Sequence, residues 1–137
     1  MLINPFIYYL KKMLKQGYPT KHQRQATKRY CQYLELRDDA ALIEEYCYWH
    51  KPEHRWPEIP EGIKAVGILD MEIYLTGNRL FMIVETPLDF DWDSAFGRLA
   101  TLERQSEWEN HMAQFQLVKP GQSSAEKWQL MERIFTL

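Results

Sequence analysis

The chain has 137 residues, 45% of them apolar and 14% aromatic, and a formal charge of −2. That length suits one domain, able to bury roughly two-thirds of the surface of its unfolded chain, and the composition excludes a disordered polypeptide. The small net charge hides an asymmetry, because residues 1–27 hold Lys11, Lys12, Lys15, Lys21 and Arg24 with no acid, which leaves −7 for residues 28–137.

A basic segment suits nucleic acid or an anionic membrane surface, but the acidic domain behind it repels both, so neither is expected as a partner. The apolar piece from Leu2 to Leu10 is interrupted by Asn4-Pro5, lacks a basic region before it and is too short to span a bilayer. With Cys31 and Cys47 as its two cysteines, the chain is expected in the cytoplasm with both thiols free. Residues 1–27 read as an extension, a short amphipathic segment followed by a Gly17, Pro19 and Gln-rich stretch expected to be partly disordered. The folded domain is expected over residues 28–137.

In that domain Arg29 to Leu36 reads as a strand with alternating faces. Arg37-Asp38-Asp39 supplies a turn and an N-cap for a helix over residues 39–50. Leu42, Tyr46, Trp49 and His50 fall on one face of it, and Lys51-Pro52 ends it, since the residue before proline is pushed out of the α region. A Pro-rich connection runs through Pro60. Gly67 to Leu75 then alternates Asp70, Glu72 and Tyr74 against Met71, Ile73 and Leu75, Thr76-Gly77-Asn78 is turn chemistry, and Arg79 to Thr86 completes a hairpin. Helical patterns follow over Asp89 to Ala100 and Leu102 to Gln116, then a loop at residues 120–124 and a last strand over Gln129 to Leu137. The order β-α-β-β-α-β predicts an α+β, ferredoxin-like fold. Its antiparallel sheet is covered by helices on one face, and a second subunit is the simplest cover for the other.

No G-x-G-x-x-G, P-loop, G-x-S-x-G or H-E-x-x-H occurs, so dinucleotide, phosphate, serine-hydrolase and zincin chemistry lack their residues. His50 and His54 are four apart, but Pro52 breaks the helix that would make them a metal face, and no metal is expected. The remaining cluster suits a polyol: Tyr46 and His50 from the first helix, Asp70 and Glu72 from the second strand, Trp108 from the long helix. Such sites pair aromatic faces with carboxylates and one proton-transfer group, and histidine exchanges a proton near neutral pH. The competing reading of His50 is a cation favoured at a helix C-terminus; Asp70 and Glu72 are by default the solvated side of a sheet.

The residues Tyr46, His50, Pro52 and Trp56-Pro57-Glu58, followed by Gly67 to Leu75, by Leu80-Phe81 with Val84-Glu85, and by Ile134, Phe135 and Leu137, together resemble the L-rhamnose mutarotase family over about residues 28–137. The resemblance implies a dimeric α+β barrel of ferredoxin-like subunits, a homodimer that interconverts the anomers of a free monosaccharide without a cofactor. It assigns proton transfer to His50 and sugar contact to Tyr46. Two positions depart from the family pattern: a sugar-contacting tyrosine falls at Met71, and a Trp-Trp pair becomes Glu107-Trp108-Glu109, so Met71, Trp108 and Glu109 are expected in an altered sugar wall. An altered wall predicts an altered sugar, and the chain looks closest to the L-fucose branch, with L-rhamnose as the alternative. In the expected mechanism His50 protonates the ring oxygen while Asp70 or a water accepts the O1 proton, and Trp108 stacks on the sugar. A binding protein of the wider dimeric α+β barrel group, with another ligand, is the competing class.

Overall fold

The computed structural model describes residues 4–137, so Leu2 and Ile3 of the apolar N-terminal piece lie outside the described residues. These residues form six helices and a four-stranded antiparallel sheet. In chain order they are α1 (Pro5–Leu14), β1 (Thr27–Glu35), α2 (Ala40–His50), α3 (Glu58–Ala65), β2 (Asp70–Thr76), β3 (Arg79–Pro87), α4 (Trp92–Leu99), α5 (Gln105–Ala113), α6 (Ser124–Lys127) and β4 (Gln129–Leu130). The sheet order β2-β3-β1-β4 is that of the ferredoxin-like fold expected from the sequence.

The register sorts the side chains. Leu34 stands opposite Leu80, Gln32 opposite Met82 and Tyr30 opposite Val84, with Met71 and Ile73 continuing the same face across β2. This face carries the core, meeting Ile59, Phe96, Leu99, Trp108, Met112 and Phe115 from the helical side. The other face presents Cys31, Tyr33, Phe81, Ile83 and Tyr74, all half-buried. Gly77 makes the β2–β3 turn at φ +60°, a conformation glycine adopts without steric cost. Asn78 then ties the hairpin to the end of β1 through bonds in both directions with Leu36.

Helix α2 positions the chemistry. Asp39 caps it by accepting a bond from the Leu42 N–H at 3.0 Å, and its backbone turns extended at Lys51, before Pro52. Replacing Asp39 with alanine is expected to lower stability by about 1 kcal/mol, the usual worth of such a cap; urea denaturation measures it.

Three elements differ from the sequence-based expectation. The Pro-rich connection contains α3, because Pro60 sits in its first turn, where a backbone N–H has no helical partner to lose. Ser123 and Glu126 form a capping box that starts the short α6 in the expected loop. The last strand is confined to Gln129 and Leu130, paired with Tyr33 and Gln32. Beyond a bond from the Met131 N–H to the Cys31 carbonyl, residues 132–137 meet no neighbouring strand among the described residues, and Ile134, Phe135 and Leu137 are exposed. In the N-terminal extension, residues 5–14 are helical with no buried side chain.

Candidate active site

Tyr46 and His50 lie one helical turn apart on the inward face of α2, with ring centroids 4.2 Å apart. His50 Nδ1 is 2.7 Å from the Tyr46 carbonyl oxygen. A carbonyl only accepts, so Nδ1 carries the proton and, in the neutral ring, Nε2 holds a lone pair. Burial pushes the His50 imidazole below its ordinary value, against the opposing pull of the Tyr46 carbonyl. The helix-end cation reading is therefore disfavoured, since the cost of desolvating the charge exceeds what the carbonyl returns. His54 turns elsewhere, stacked 3.7 Å from the Tyr48 ring.

Trp108 of α5 forms the next wall. It stands edge-on to His50 at 5.5 Å and to Trp56 at 5.2 Å. Trp56 in turn stacks flat on His111 and carries the Arg104 guanidinium over its face at 3.9 Å. Arg104, in the left-handed region at φ +62°, reaches Glu107 at 2.8 Å and Glu58 at 3.7 Å. Trp56 and Glu58 thus brace the start of α5, while Glu107 points to solvent.

These side chains enclose a cavity of about 390 Å³ between the sheet and the helices, within the usual small-molecule range of roughly 300–1,000 Å³. Of the candidate residues, Tyr46, His50, Asp70, Met71, Trp108 and Glu109 line it, and Glu72 does not. Met71 belongs to the sheet floor. Asp70 belongs by alternation to the opposite face, but as the first residue of β2 it reaches the rim, where its carboxylate meets Lys21 at 3.2 Å. Glu72 stays on the open face, accepting a bond from the Tyr74 hydroxyl at 2.7 Å, and does not line the cavity.

Glu109 is buried, and its surroundings are ones the sequence gives no direct sign of. The fully buried Lys127 ammonium donates to the Glu109 backbone carbonyl and stands 3.5 Å from Oε1, while Gln105 donates to Oε2 at 3.4 Å. Burial raises the Glu109 carboxyl and lowers the Lys127 ammonium, each partly offset by the other's charge. Burial also raises the Tyr46 phenol, with the Gln116 side chain working the other way. Gln105, Gln116, Trp128 and Arg55 are further lining residues that helical or strand spacing does not single out. The buried Gln116 Oε1 has no partner among the described residues, nor does the amide of Gln32 beside Met82 on the sheet floor. An unpaired buried amide is costly, and of these two Gln116 is the one that lines the cavity, with an oxygen that lacks a donor.

Residues 29–137 match the family described as L-rhamnose mutarotase. The chain belongs to the L-rhamnose mutarotase family. It is accordingly a sugar mutarotase, an isomerase acting on sugar anomers. It is 40% identical over 109 residues to an L-fucose mutarotase of Xanthomonas campestris pv. campestris, covering 80% of this chain and 87% of that one. It is 37% identical over 114 residues to a UPF0734 protein of Dictyostelium discoideum, covering 80% and 90%. The fold is shared with the crystal structure of an L-rhamnose mutarotase from Formosa agariphila, at a TM-score of 0.61 and 22% identity, covering 80% of this chain and 98% of that one. Lys21, at the mutarotase cavity, lies outside the matched residues. Among the described residues, no helix is long and apolar enough to cross a membrane.

Proposed function

We propose that this mutarotase interconverts the α and β anomers of L-fucose, with His50 as its proton-transfer group. The observation that carries the role of His50 is its Nδ1–H bond to the Tyr46 carbonyl at the wall of this cavity. That bond leaves a neutral imidazole whose Nε2 is an acceptor. Donation to the ring oxygen is the expectation from sequence; the tautomer favours the other half of the same exchange. Nε2 takes the O1 proton, C1=O1 forms as C1–O5 breaks, and O5 takes a proton from water. The aldehyde turns about C1–C2, O5 attacks the other face of C1 and returns its proton to water, and His50 gives its proton back to O1. The uncatalysed reaction already proceeds in water, so one positioned base and a held sugar are enough.

Trp108 offers an apolar face, while Glu109, Gln105 and Gln116 offer polar partners for hydroxyls, with Asp70 at the rim. The choice of L-fucose is supported by the 40% identity to a protein of that activity. The family's own description favours L-rhamnose as the second reading.

Saturation-transfer NMR separates the two. With the α-anomeric proton irradiated, protein-dependent loss of the β-anomeric signal is expected for L-fucose and to a smaller extent for L-rhamnose. A larger effect on L-rhamnose reverses the substrate assignment, and no effect on either leaves a binding protein as the better reading.

The working unit we propose is a homodimer in the cytoplasm. Cys31, Tyr33, Phe81 and Ile83 on the open sheet face, together with the exposed Ile134, Phe135 and Leu137, support a second copy as cover. The free thiols of Cys31 and Cys47 suit a reducing compartment.

A further inference from the structure

The family match starts at residue 29, but the wall of the cavity does not, because Lys21 lines it. Between α1 and β1 the chain follows the outer strand of the sheet. The Tyr18 ring meets Tyr74 of β2 edge-on, with centroids 5.7 Å apart. Three residues later, Lys21 Nζ stands 3.2 Å from Asp70 Oδ1. Tyr74 and Asp70 are four apart on one strand and share a face, so residues 18–21 have two anchors along the same edge. The carboxylate they reach is mostly enclosed, with a side-chain exposure of 16% against 70% for Lys21.

We propose that residues 18–21 form a strap belonging to the active site, in which Tyr18 docks on Tyr74 and Lys21 holds the Asp70 carboxylate toward a sugar hydroxyl at the cavity mouth. The inference rests on the sugar occupying that cavity. Lys21 is a positioning residue. Its ammonium has three donors on a flexible stem, so it grips Asp70 and keeps a donor free for the sugar. Without it, Asp70, at the end of the outermost strand, turns to water. An ion pair whose lysine stands mostly in water adds little to stability, so its removal reports on binding and leaves folding intact. Because the strap touches the mouth and not His50, it acts on sugar affinity and leaves the chemical step alone.

The test compares full-length wild type with Lys21→Met, Lys21→Arg and Tyr18→Ala, measuring anomer exchange by NMR over a range of L-fucose and L-rhamnose concentrations. Lys21→Met is expected to raise KM about 3- to 10-fold, the loss of one exposed charged contact, with kcat within about twofold, the pattern of lost uniform binding. Lys21→Arg should restore most of the affinity, and Tyr18→Ala should raise KM by less. Unchanged KM in Lys21→Met, with wild type active, overturns the strap and leaves the mutarotase function standing. Equal losses in the Met and Arg variants together with a lower urea midpoint make the contact a structural tie only and also overturn it. A wild type that exchanges neither sugar removes the sugar reading and the strap with it.

Discussion

Replacing His50 with alanine is expected to cut anomer exchange by roughly 10²- to 10⁴-fold, the usual contribution of a positioned acid–base group, while leaving the protein folded. His50 is half-buried on the last turn of α2, and among the described residues its ring bonds only to its own helix. The core contacts of α2 run through the buried Tyr46 with Leu42, Ile43 and Trp49 packed beside it, so truncation at His50 opens the cavity wall and spares the core. Circular dichroism and a urea midpoint verify the fold, and NMR exchange measures the rate. A folded His50→Ala protein with unchanged exchange would remove His50 from the chemistry.

The pH profile distinguishes the two possible directions of proton transfer. Burial lowers the His50 pKa below its ordinary value, so the imidazole is neutral at pH 7 and charges only as the pH falls through that lowered value. If Nε2 is the acceptor of the O1 proton, kcat/KM is level at neutral pH and falls only once acidification reaches that lowered value, below the ordinary imidazole value of about 6.5. If the imidazolium is the donor to the ring oxygen, the same titration makes the rate rise instead. The sign of the slope between about pH 5 and 7 decides, after the acid-catalysed background of the free sugar is subtracted.

Why part of this site is legible in the sequence and part is not follows from how each residue is held. Tyr46 and His50 are fixed by one helix, whose cap at Asp39, apolar spacing and proline stop are all local signals, and the hairpin is fixed by Gly77. Local signals survive translation into three dimensions. Asp70 and Met71 are adjacent, so alternation sends them to opposite faces, and only the position of Asp70 at the end of β2 brings both to one cavity. Lys21, Gln116, Trp128 and Lys127 arrive from segments distant in the chain, where no periodicity marks them. The choice for Glu109 over Glu107 is likewise tertiary: one meets Lys127 in the interior, the other Arg104 in solvent. For α3 and α6 the local signs were present, as Trp56-Pro57-Glu58 and the Ser123-to-Glu126 spacing, but Pro60 disguised the first and the loop-like composition of residues 120–124 the second. The short β4 has a different cause, because alternation shows what can be a strand and only a partner makes it one.

The largest stability effect is expected at Lys127. Its ammonium is wholly shielded from water and bonds to the backbone carbonyl and carboxylate of Glu109. Removing one member of a buried pair leaves the other charge stranded, at about 3–5 kcal/mol, so Lys127→Met should move the urea midpoint strongly downward. The sign of the pKa perturbations predicts how the damage is relieved. Burial already raises the Glu109 carboxyl, and the Lys127 charge opposes that rise. Without the ammonium, Glu109 keeps its proton to higher pH, so the loss should be smallest in acid and grow as the pH climbs to neutrality. A Lys127→Met, Glu109→Gln double variant should recover part of the stability at pH 7, because no unpaired charge remains. Urea titrations of the two single variants, the double variant and wild type at pH 5 and pH 7 supply the full cycle. Additive losses with no pH dependence would mean that the two groups do not interact, and that Lys127 supports α5 only through the Glu109 backbone.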